Sequence, residues 1–175
     1  MSERDIWFLD LEETIITDFT DPEIVNLEVV KEHFKRIGVK QVHIFSFAIW
    51  GSREKRIFEQ PNFKEWLERV FELEIVTYPS MQEVMDEVFW KTNTKWELTD
   101  FISIWGKARA FADYCLMMHH TKNCFLIDDI VPNAITVDRK TGLTTEFINV
   151  LNLHEWERFK HESLADVEAT QTSAK

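Results

Sequence analysis

At 175 residues the chain has room for one domain with a sizeable core and too little length for two. A hydrophobic content of 45%, with 14 Phe and 7 Trp, excludes a disordered chain, and a formal charge of −11 argues against sequence-independent binding to nucleic-acid phosphates, which relies on clustered Lys and Arg. Two cysteines, Cys115 and Cys124, provide no disulfide framework, and no apolar run approaches the roughly 18 residues of a membrane span.

Met1 to Asp5 carries no basic stretch leading into an apolar one, so a soluble, cytoplasmic protein is expected. Ile6 to Leu9 is a short apolar run that ends in Asp10, followed by Glu12 and Thr14. The pattern predicts a buried strand whose end delivers carboxylates to the carboxyl edge of a sheet, where open α/β folds place ligands. There an aspartate can attack as a nucleophile, and a second carboxylate on the same turn can serve as general acid and base. Equally, a strand can end in acidic turn residues for structural reasons alone.

Asp21 and Pro22 read as the start of a helix over residues 23–37, with Ile24, Leu27, Val30, Phe34 and Ile37 at helical spacing and Gly38 as its stop. Gln41 to Ile49 reads as a second strand, parallel to the first, containing Ser46. Gly51 to Arg56 reads as an exposed loop from which Arg53 could reach an anionic substrate. Lys31, Lys35, Arg36 and Lys40 form one possible basic patch and Arg53, Lys55 and Arg56 another, although such clusters are usually solvated faces. Phe63, Trp66, Leu67, Val70 and Phe71 fall on one face of a helix over 62–71, a spacing that fits core better than a stacking platform. A third strand is expected over 74–78 and a further helix over 81–90, with Glu83, Asp86 and Glu87 facing solvent.

The polar stretch 91–100, with Trp96, is the kind of loop that carries specificity, and an exposed Trp there would anchor a partner. Gly106-Lys107 opens a helix that ends at His119 and His120, which lack the neighbours of a zinc site. Cys124 to Asp129 is a fourth strand ending in paired aspartates. A fifth is expected over 135–137, then an apolar segment over 146–151 and a closing helix over 153–167, with 168–175 as a disordered tail after a single domain spanning 1–167.

The order of Asp10-x-Glu12-x-Thr14, Ser46, Lys107 and Asp128-Asp129 resembles the four motifs of the haloacid dehalogenase superfamily. That resemblance implies a three-layer, Rossmann-like parallel sheet with helices on both faces. It also implies magnesium-dependent hydrolysis of phosphoesters through an aspartyl phosphate. On this reading Asp10 is the nucleophile and Glu12 the acid and base. Ser46 and Lys107 hold the phosphoryl oxygens, with Thr14 and Arg53 also on the substrate side. Asp10, Glu12, Asp128 and Asp129 surround the metal.

The chain departs from the motif at Glu12 and Glu13, where the family has Asp and Gly. The extra methylene displaces the proton-transfer group by more than an ångström, and a misplacement of that order costs about a hundredfold in rate. There is no length for a large cap domain, so the site would be open to small phosphoesters, macromolecular substrates or nucleic-acid ends. Two expectations follow: a magnesium-dependent phosphatase, or a degenerate member of the fold that binds a macromolecular partner.

Overall fold

The computed structural model describes residues 5–90, 97–119, 123–129 and 149–152. Strands β1 (Ile6–Leu9), β2 (Gln41–Ile44), β3 (Glu74–Ile75), β4 (Cys124–Asp128) and β5 (Asn149–Asn152) form one sheet in the order β3-β2-β1-β4-β5. The first four are mutually parallel, as expected; β5 runs antiparallel to β4, with Leu126 opposite Leu151, and so departs from an all-parallel sheet. The residues expected to form a strand over 135–137, a closing helix and a tail lie outside the described ones.

Alternation along the strands sends side chains to two separate cores. Phe8, Phe45, Cys124 and Leu126 pack with helices α4 (Met81–Phe89) and α6 (Lys107–His119). Trp7, Leu9, Val42, Ile44 and Ile127 pack with α1 (Leu27–Ile37), α2 (Ser52–Glu59) and α3 (Lys64–Phe71). Leu67 and Phe71 are buried, and Phe63, Trp66 and Val70 lean against the same core, which confirms the helical face read from their spacing. Both cysteines are buried, and the Cys115 thiol is hydrogen-bonded with Cys124.

Several boundaries differ from the sequence expectation. The first helix starts at Leu27, because Ile24 is drawn into a bridge with Ile16 and Asn26 adopts a left-handed conformation while its side chain donates to the Thr14 carbonyl at 2.9 Å. The expected loop over 51–56 is instead the start of α2, where the Gly51 N–H donates to Glu54 Oε2 at 3.1 Å. Helix α4 starts at a Ser80–Glu83 capping box: Ser80 Oγ accepts from Glu83 N at 3.1 Å and Glu83 Oε2 accepts from Ser80 N at 2.8 Å. Before α6 the chain forms a short α5 (Leu98–Asp100) and a π-helical turn over Phe101–Trp105, then reverses at Gly106, whose φ of 86° suits glycine.

At the β3 edge of the sheet the Ile75 N–H donates to Glu68 Oε2 at 2.9 Å. No helix among the described residues is long and apolar enough to cross a membrane.

Candidate active site

The turn after β1 is tight. The Leu11 carbonyl accepts N–H groups from Thr14, Ile15 and Ile16 at 3.0 to 3.2 Å, and Glu13 N donates to Ile16 O at 2.7 Å. This curl brings Thr14 back beside Asp10, and Thr14 Oγ1 lies 3.1 Å from Asp10 Oδ2. The same hydroxyl accepts from Asp129 N at 3.0 Å and lies 3.4 Å from Asp129 Oδ1. Having one hydrogen to give, it serves the nearer Asp10 oxygen and so ties the ends of β1 and β4 together.

Lys107 reaches the same place from the first position of α6. Its Nζ is 2.9 Å from Asp10 Oδ1 and 2.5 Å from Asp128 Oδ2, and it sits 5.1 Å from the centre of the Phe47 ring. Asp10, Lys107 and Asp128 are all buried, at 4%, 6% and 1% exposure. Burial disfavours each charge, but the Asp10 and Asp128 carboxylates outweigh it for Lys107 and hold the ammonium above its ordinary value. For Asp128, burial dominates. It pushes the carboxyl up to about 8 against the pull of Lys107, with Asp10 and a bond to Asp129 acting in the same direction as burial. Asp10, Asp128 and Asp129 each offer an oxygen, and the three lie within 4.8 Å of one another. These are hard oxygen donors. Such a set is of the kind that could hold a metal ion.

No family model, curated protein or solved structure matches the chain. The geometry therefore speaks for itself. It brings together Asp10, Thr14, Lys107, Asp128 and Asp129, all five singled out in the sequence. Ser46 is buried just beyond β2, whose continuation pairs with β1 through Phe45 N and Leu9 O at 2.9 Å. Its Oγ accepts from Ala48 N at 3.2 Å and keeps its own hydrogen to donate.

Glu12 takes a different partner. It is outside the carboxylate cluster, and its Oε2 accepts the Phe19 N–H at 3.2 Å. Through this bond the Glu12 carboxylate braces the loop that follows β1. Arg53 is exposed in the first turn of α2, and Arg109 stacks on Trp105, its Cζ 3.4 Å from the ring centre.

The residue that the sequence undervalued is Glu13. It takes a φ of 61° at the position where the resembled motif has glycine, and it is exposed. A hydrogen bond with Asp129 raises its pKa first, with the Asp129 charge next. The signal was available: a non-glycine residue at a glycine position keeps the turn but adds a side chain to the mouth of the site.

Proposed function

We propose that the chain is a phosphoester hydrolase of the haloacid dehalogenase type, on a three-layer fold without a large cap. The observation that carries this reading is the buried Lys107 ammonium held between Asp10 and Asp128, groups from three different elements converging at one sheet edge. A buried lysine with two carboxylates is costly to assemble, and losing one partner of such a set costs about 3–5 kcal/mol, so structure alone gives little reason to build it.

In the proposed reaction Asp10 forms a bond to phosphorus as the ester P–O bond breaks, leaving a phosphoryl group on the carboxylate. Lys107 offsets charge on the transferred oxygens, and Ser46 donates its hydroxyl hydrogen to one of them. Thr14 fixes the rotation of Asp10. Glu12 exchanges the Phe19 N–H for the leaving oxygen, gives it a proton, and takes one back from the water that releases phosphate. Asp10, Asp128 and Asp129 would hold magnesium, which supplies Lewis-acid polarisation of the phosphoryl oxygens. The substrate is a phosphorylated small molecule or a phosphate on a macromolecule.

A second reading has its own support. Glu12 is engaged by Phe19 and Glu13 holds a left-handed backbone, so turnover of an aspartyl phosphate would be slow, and the fold would serve as a binding or regulatory module for a macromolecular partner.

Hydrolysis of an aryl phosphate with and without magnesium, beside Asp10→Asn, separates the two. The phosphatase reading expects metal-dependent turnover that falls at least about a thousandfold in the variant, the scale of losing a covalent nucleophile. Turnover equal in both proteins would overturn it.

A further inference from the structure

At the end of the sheet opposite Asp10, a cleft of about 410 Å³ is lined by Lys31, Lys35 and Lys40, with Phe34, Phe71 and Leu73 as its apolar floor. Lys40 precedes β2 and Ser46 follows it, so the two sites are roughly 20 Å apart along the extended chain. In a chain of charge −11, three lysines here face a single acid, Glu72.

The lysines are not consumed by the fold. Lys31 pairs with Glu72 at 3.2 Å, but both side chains are well exposed, and such a pair is worth no more than about 1 kcal/mol. Lys35 and Lys40 form no ion pair among the described residues. Helix C-termini attract cations, which would explain lysines beside the ends of α1 and α3. Here those ends close on themselves: Gly38 N and Val39 N bond the Lys35 and Phe34 carbonyls, and Leu73 N bonds Glu68 O. The last carbonyls of these helices are thus bonded by the backbone and not by the lysines.

The shape decides the size of a ligand. A concavity of this volume falls in the range of small-molecule sites. Three point charges above an apolar floor suit several phosphate oxygens joined to a ring. We propose that this cleft binds an organic polyphosphate of nucleotide size, separately from the carboxylate site.

Isothermal titration of the full chain with ATP in magnesium-free, EDTA-containing buffer tests this, with Lys35→Glu/Lys40→Glu and Asp10→Asn as variants and tripolyphosphate as the second probe. The expected result is saturable one-to-one binding of ATP, weakened at least about tenfold by the double charge reversal, unchanged by Asp10→Asn, and tighter than that of tripolyphosphate. Lys35 and Lys40 are exposed, so the double variant should fold, which a thermal melt verifies. Absence of saturable binding at millimolar ATP, equal binding by the double variant, or loss in Asp10→Asn would overturn the proposal. Equal affinity for tripolyphosphate would overturn the role given to the apolar floor.

Discussion

Thr14 is a residue whose hydroxyl does two structural tasks at once, accepting from Asp129 N and donating toward Asp10 Oδ2. Replacing it by valine keeps the shape and leaves a backbone N–H and a buried carboxylate oxygen without that partner. The expected loss is about 1–3 kcal/mol in urea unfolding. Thr14→Ser retains the hydroxyl and gives up one methyl, about 0.8 kcal/mol. Equal losses for the two variants would show that the bonds matter no more than the methyl. At this scale the sequence was informative about residue types and silent about rotation. Asp10, Thr14, Lys107 and the aspartate pair announced themselves by order and spacing. The turn of Glu12 onto Phe19 depends on how the loop 11–26 curls, through bridges of Ile16 with Glu12 and Ile24 that no local pattern encodes.

Among the elements, α4 owes its start to a reciprocal cap. Ser80 is buried, and its hydroxyl accepts the Glu83 N–H while Glu83 Oε2 takes the Ser80 N–H. Ser80→Ala should cost about 1 kcal/mol by chemical denaturation, whereas Ser80→Asp should keep most of the cap. A Ser80→Ala protein as stable as the wild type would mean that Glu83 alone holds the end, helped by its bond to Lys55 at 2.8 Å. Strands β1 and β4 were legible from their apolar runs, whereas β2 and β3 stop at Ile44 and Ile75, short of the ends expected at 49 and 78. Helix α2 was not legible: Arg53 to Arg56 reads as a charged loop, and only Phe58 is deeply buried, so the core-facing stripe is too thin to announce itself. The start of α1 was misplaced for the opposite reason, since Ile24 has helical spacing but serves the small bridge with Ile16.

For the whole molecule, stability should depend on pH through His43. Burial, helped by the neighbouring His119, pushes its imidazole down to about 4, and Nδ1 lies 2.6 Å from Thr77 Oγ1. An unfolded histidine titrates near 6.5, so between these values the unfolded chain binds more protons and folding weakens as pH falls from about 6.5 to about 4. The ring is half-buried, and solvent screening limits the loss to about 1–2 kcal/mol. Subtracting the unfolding profile of His43→Gln from that of the wild type isolates this contribution, and a flat difference across that window would refute it. The overall architecture followed from alternating strands and helices, while the antiparallel pairing of β5 with β4 had no sequence signature, because direction is set by the return path of the chain and not by the strand itself. The bond from Ile75 N to Glu68 Oε2 bears on how copies of the chain meet. Among the described residues strand β3 is the outer edge of the sheet on that side, where an unpaired N–H would template a strand from another molecule. Here the donor is already spent on a carboxylate, and an approaching carbonyl would meet negative charge instead of a free hydrogen. On this side of the sheet a single glutamate thus stands against strand exchange.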